Sequence, residues 1–205
     1  NSKIPDIWFG HGVVDLSTIL PIEKDFGVQI TRQDSNKHSV PNNGHVTAQL
    51  KVNPKQNKEK LQITLSYIDP LLSIESPIPI TRDLDMIVTS PSNKIYIGDH
   101  LPSKDTQHTS TNEKIIIDED EIESGEYTIH VYGGYFADNF NNENQRQDFA
   151  VAASGPIENG YLEFYDSYNC PCKECDQDHP GFCLCDKNKN IGQVCQVDIE
   201  VINNV

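Results

Sequence analysis

The chain has 205 residues, 36% hydrophobic and 23% charged, with a formal net charge of -15. That charge leaves no basic footprint from which a polyanion could release counterions, which argues against DNA, RNA or an anionic membrane surface as partner. No stretch approaches the roughly 20 apolar residues that span a bilayer, so direct membrane insertion is not expected.

Residues 1–22, NSKIPDIWFGHGVVDLSTILPI, hold the best helix candidate. Asp15 is placed to cap a turn from Leu16 to Leu20, and Val13, Val14, Leu16, Ile19 and Leu20 give it an apolar side next to Trp8 and Phe9. So short a helix is marginal unless it packs on something. The expectation is that this surface belongs against a neighbouring domain of a longer protein.

From Phe26 onward the apolar residues recur with the period of strands. Phe26 to Ile30 reads as the first strand and Thr31 to Gly44 as a polar loop. Val46, Ala48, Leu50 and Val52 alternate with polar residues, as do Leu61, Ile63 and Leu65, which Asp69-Pro70 terminates. Residues 70–82 form a proline-containing loop. In DLDMIVTSPSNKIYIG, residues 83–98, Leu84, Met86 and Val88 alternate with Asp83, Asp85, Ile87 and Thr89, and a Ser-Pro-Ser-Asn turn leads into Ile95 to Ile97. After a loop over 99–113 come Ile115 to Ile117, an acidic turn, and the cleanest strand, Glu126 to Gly133. There Tyr127, Ile129 and Val131 oppose Thr128, His130 and Tyr132, and His130 is expected to be exposed. Residues 135–148 read as an exposed Asn-rich loop, Phe149 to Ala153 as a strand and Tyr161 to Tyr165 as a last one. Eight or nine strands without a βαβ rhythm predict an all-β antiparallel sandwich, with jelly-roll and immunoglobulin-like connectivities both open.

Asp83 and Asp85 share one face of a strand. Two readings stand: a solvated face, and a calcium site completed by Asp69, Asp99 and backbone carbonyls, since calcium takes roughly six to eight oxygens. Asp118, Asp120 and Glu121 read as a solvated acidic turn. No H-E-x-x-H and no G-x-S-x-G elbow occurs, so no catalytic residue is assigned. All six cysteines, Cys170, Cys172, Cys175, Cys183, Cys185 and Cys195, lie at the C-terminal end. Their number and density imply disulfides and an oxidising compartment. Zinc is the alternative, although only Cys172 and Cys175 have the usual ligand spacing.

Two resemblances run along the chain. Cys183-Leu184-Cys185 with Gly192-Gln193-Val194-Cys195 resembles the second half of an EGF-like module, which implies pairing of first with third, second with fourth and fifth with sixth cysteine. GHGVVDLSTIL at 10–20 resembles the closing helix of a subtilisin-like serine protease catalytic domain. LQITLSYIDP at 61–70, RDLDMIVTSPSNKIYIG at 82–98, GEYTIHVYG at 125–133 and QDFAVAASGP at 147–156 resemble the β-sandwich that follows it in large secreted subtilases.

The resemblance implies three parts. Residues 1–22 would be a remnant of the catalytic domain, 23–166 a jelly-roll sandwich and 167–205 an EGF-like module. It further implies core roles for Leu84, Met86 and Val88, structural roles for Gly125 and Tyr127, and an extracellular or cell-surface location. The function expected is that of a non-catalytic accessory domain that stabilises its own upstream catalytic domain and shapes access of protein substrates. The parent protein, not this piece, would be the endopeptidase. The rival from another class is a calcium-dependent adhesion or glycan-binding module, which exposed aromatics at Tyr135, Phe136 and Phe140 would favour.

Overall fold

A computed structural model describes residues 26–32, 38–42, 44–54, 59–70, 80–98, 110–137 and 145–166, together with Val13, Leu16 and Leu20. Eleven strands follow one another in these segments: β1 (Gly27–Thr31), β2 (Ser39–Pro41), β3 (His45–Val52), β4 (Leu61–Tyr67), β5 (Arg82–Thr89), β6 (Ile95–Ile97), β7 (Asn112–Ile117), β8 (Gly125–Phe136), β9 (Arg146–Gly155), β10 (Gly160–Leu162) and β11 (Tyr165–Asp166). They form an all-β domain of two sheets. Sheet one has the order β10-β1-β9-β4-β7, with β2 also on β9, and sheet two the order β11-β3-β8-β5-β6.

The alternation read from the sequence sets which side chains meet between the sheets. Leu61, Ile63 and Leu65 of β4 and Val151 and Ala153 of β9 join Leu50 of β3, Leu84, Met86 and Val88 of β5, and Tyr127, Ile129 and Val131 of β8 in one core. Each fully buried aliphatic side chain of this kind stabilises the fold by roughly 1.5–3 kcal/mol relative to leaving it in water. Gly125 opens β8 at a φ of 141°, a backbone conformation that side chains with a Cβ rarely adopt, and Tyr127 two residues on is buried. Both fit the structural places expected of them.

The structure corrects several expectations. The pairs are mostly antiparallel, but β10 runs parallel to β1. Ser39 to Pro41, expected in a loop, pairs with β9 as β2. The loop expected over 135–148 is shorter, because β8 runs on to Phe136 and β9 begins at Arg146. Phe136 is a core residue, 1% exposed, and no loop aromatic. Phe140 lies outside the described residues, as do the cysteine run 170–195 and all of residues 1–22 except Val13, Leu16 and Leu20.

Candidate functional site

The organising strand β5 carries two kinds of residue, and both are buried. Its inward side is the apolar core. Its outward side presents Asp83, Asp85 and Ile87, of which Asp83 is 1% and Asp85 0% exposed. The expectation of a solvated acidic face is therefore overturned. A two-residue period says which way a side chain points and nothing about what lies over it.

Register then decides the neighbours. Asp85 lies opposite Tyr132 of β8, and Tyr132 lies opposite His45 of β3. Next to this row, Ile87 pairs with His130 and His130 with Thr47. An irregularity between Asp83 and Leu84 shifts the β5–β8 register at that end, so that Asp83 meets Tyr135 and Leu84 meets Gly133. The His45 ring stacks on Tyr132 at 4.8 Å and on His130 at 5.5 Å between centroids. His130, expected to be exposed, is 5% exposed.

The two imidazoles share a hydrogen bond, His130 Nδ1 to His45 Nε2 at 3.3 Å, and His130 Nε2 lies 3.3 Å from the Thr89 hydroxyl. One ring nitrogen must donate and the other accept, so the pair cannot carry a proton on both facing atoms. Burial pushes His45 down to about 4. Burial, and then the neighbouring His45, pushes His130 down to about 3. Burial raises the Tyr132 phenol above its ordinary range. Thr89, His130 and His45 have the connectivity of nucleophile, base and orienting group. Burial thus holds both rings neutral near neutral pH and makes each a weaker base than a free imidazole.

As a metal site the face is poor in oxygen. Besides the two carboxylates, its described neighbours offer imidazole nitrogens, Ile87 and the phenol of Tyr132, short of the roughly six to eight oxygens calcium takes. Among the described residues no group of three or more histidines, cysteines or acids is arranged to hold a metal ion. Asp69, expected to complete a calcium shell, works elsewhere. Its two oxygens accept the backbone N–H groups of Thr81 and Arg82 at 2.8 and 2.9 Å, closing the loop between β4 and β5. Asp99 lies outside the described residues.

Two carboxylates that the sequence did not single out do structural work. Glu113 of β7 is buried, and its Oε2 accepts the backbone N–H of Met86 at 2.6 Å, tying the edge of sheet one to β5. Glu123 holds the Ser-Pro-Ser-Asn turn, accepting from the Ser90 hydroxyl at 3.0 Å and from the Ser92 N–H and hydroxyl at 2.9 and 2.6 Å. Those bonds, Ser92's first, keep its carboxyl below the ordinary range. Asp118 and Asp120 are exposed, as expected, and Glu121 pairs with Lys94 at 2.9 Å.

The remaining candidate surface is apolar. Val13, Leu16 and Leu20 are 94%, 56% and 47% exposed, and the Leu20 N–H donates to the Leu16 carbonyl at 3.0 Å, one helical turn. The spacing of four residues between Leu16 and Leu20 places those two on one side of that turn. Compared with protein-family models and with curated proteins, the chain matches none. Among the described residues no helix is long and apolar enough to cross a membrane.

Proposed function

We propose that this chain is the non-catalytic accessory region of a subtilisin-like serine endopeptidase, a jelly-roll sandwich that stabilises the catalytic domain preceding it. The observation that carries the reading is the row of exposed apolar residues Val13, Leu16 and Leu20. It lies within the stretch that resembles a subtilase's closing helix. Three large aliphatic side chains in water, two of them on one side of a turn, are surface that a partner would cover, at roughly 1.5 kcal/mol or more for each. Leu20 and Gly27 are seven residues apart, so even a fully extended connection keeps the turn within about 25 Å of β1.

The strand order supports the jelly-roll reading. With β1, β3, β4, β5, β6, β7, β8 and β9 as eight strands, every connection but β5 to β6 passes from one sheet to the other, as two interleaved Greek keys require. The proposal carries with it an EGF-like disulfide module over 167–205 and a location outside the cell or on its surface. Both rest on the cysteine run, beyond the described residues. Phe136, one of the aromatics that would favour the adhesion rival, is in the core.

The test uses the full natural chain in which this sequence occurs. A fluorophosphonate probe should label a serine upstream of these residues. The triple variant V13D/L16D/L20D should lower the thermal half-life of that activity several-fold and leave unfolding of the sandwich unchanged. Absence of a labelled serine, or a triple variant as long-lived as the parent, overturns the reading.

A further inference from the structure

The last strand of a sheet carries backbone groups that another strand can pair with, and proteins keep such edges short, charged or interrupted by proline. Among the described residues the two sheets end in β10 and β7, and in β11 and β6. Three of these are two or three residues long. β7 is the exception. Asn112–Ile117 runs six residues as Asn-Glu-Lys-Ile-Ile-Ile, with no proline or glycine to interrupt it. Consecutive β-branched residues favour the extended chain.

The register shows which backbone groups of β7 are open. Opposite residues of an antiparallel pair alternate between those that exchange N–H···O bonds and those that do not. The Tyr67 N–H donates to the Thr111 carbonyl at 3.1 Å, at the start of the β4–β7 ladder. Counting on in twos, Glu113, Ile115 and Ile117 bond to Leu65, Ile63 and Leu61, while Asn112, Lys114 and Ile116 turn their N–H and C=O groups away from β4. Asn112 has the same phase: its N–H donates to Ser110 Oγ at 3.1 Å, and its carbonyl accepts from that hydroxyl at 2.9 Å. Asn112 is thus capped by its own neighbour. Lys114 and Ile116 have no partner on that side among the described residues. Their side chains lie on the outward face, Lys114 half-buried and Ile116 48% exposed.

We propose that β7 is a homodimer seam, where two copies of this chain pair their β7 strands antiparallel about a two-fold axis through Ile115. This register sets Lys114 of each copy opposite Ile116 of the other. Each such pair exchanges both of its N–H···O bonds, so the groups left open by β4 are all used and none already engaged is needed. The neighbouring registers are worse. A shift toward the N-terminus sets Lys114 against Lys114, like charge opposite like. A shift toward the C-terminus calls on the Asp118 carbonyl, which already accepts the Glu121 N–H at 2.9 Å. In the favoured register Lys114, which has no ion pair among the described residues, lies diagonal to the other copy's acidic turn, 118–121. That turn is acidic at all four positions and pairs Asp118 with Lys60 and Glu121 with Lys94, so it stays negative. The lysine stem meanwhile covers Ile116. Each copy has one β7, so the assembly closes at two. The net charge of -15 on each copy opposes association and keeps it weak.

Sedimentation equilibrium of the 205-residue chain tests the seam. Expected is a monomer–dimer equilibrium with a Kd on the order of 10–100 µM at physiological salt. I116P removes an outward N–H and no bond to β4, and I116K sets lysine opposite lysine across the seam. Each should weaken the dimer at least about tenfold and leave melting of the dilute monomer little changed. V13D/L16D/L20D should leave the dimer intact, which separates this seam from the apolar residues at 13–20. In a mixture of isotope-labelled and unlabelled chains, zero-length carbodiimide coupling should join Lys114 of one copy to the acidic turn of the other. A chain still monomeric at roughly 1 mM, a dimer undiminished in both Ile116 variants, a dimer lost in V13D/L16D/L20D, or oligomers larger than two overturns the proposal.

Discussion

The outward faces of the two sheets come from the same sequence rule and end in opposite states. On β9 of sheet one, Arg146, Asp148, Ala150 and Ala152 alternate with buried residues and are exposed. On β5 of sheet two, Asp83, Asp85 and Ile87 alternate with buried residues in the same way and are buried themselves. Along β8 the outward row changes state, with Tyr132 and His130 buried and Thr128 half-buried. Burying polar groups costs free energy unless they are hydrogen-bonded or paired. The closed face is therefore where the fold is most sensitive to chemistry.

The largest effect expected of breaking this contrast is at Asp85. D85A should destabilise the domain by about 3 kcal/mol or more, because it empties a fully buried position opposite Tyr132. The open-face change A150D should cost under about 0.5 kcal/mol. Urea denaturation of the two variants beside the parent chain measures both, and equal costs would dissolve the distinction.

Acid comes next. Both histidines are held below their ordinary pKa of about 6.5, so the unfolded chain takes up protons that the native state refuses. Their contribution is fully present above pH 6.5 and falls as pH drops toward about 4 for His45 and about 3 for His130. Each unit of displacement is worth about 1.4 kcal/mol, so the coupled pair should cost the fold on the order of 2–4 kcal/mol between pH 6.5 and 4.5. Urea midpoints across that range should flatten in H45Q/H130Q, and a parent chain with no such slope would mean that the rings titrate freely.

G125A should be milder, at about 1–3 kcal/mol. The residue keeps a φ of 141°, and a Cβ there would meet Pro91 Cγ at 2.8 Å. E123Q should be smallest, at about 0.5–1.5 kcal/mol, since it weakens bonds to Ser90 and Ser92 at an accessible turn. Thermal melts order the two, and a reversal would assign the turn's stability to Glu123 in place of the glycine.

Most strands were legible before any coordinates, because the alternation in β3, β4, β5 and β8 is a local property. What failed was short, polar or non-local. Ser39-Val40-Pro41 is too brief and too proline-like to read as a strand, and Arg146-Gln147-Asp148 carries no apolar signal although it opens β9. The parallel partnership of β10 with β1 joins residues about 130 apart, beyond any periodicity. Asp83 and Asp85 stood out as a pair, yet the residues that give their face its character, His45, His130 and Tyr132, are brought beside β5 by register from two other strands, β3 and β8.

Amide hydrogen exchange over residues 13–20, in the full natural chain and in the 205-residue chain, bears on the proposed role with the least intervening inference. If this region is the accessory domain of an upstream peptidase, those amides are protected at least about tenfold more in the full chain, where the catalytic domain covers Val13, Leu16 and Leu20. Equal exchange in both would mean that nothing docks on the exposed row, and the reading as a stabilising accessory domain would fall.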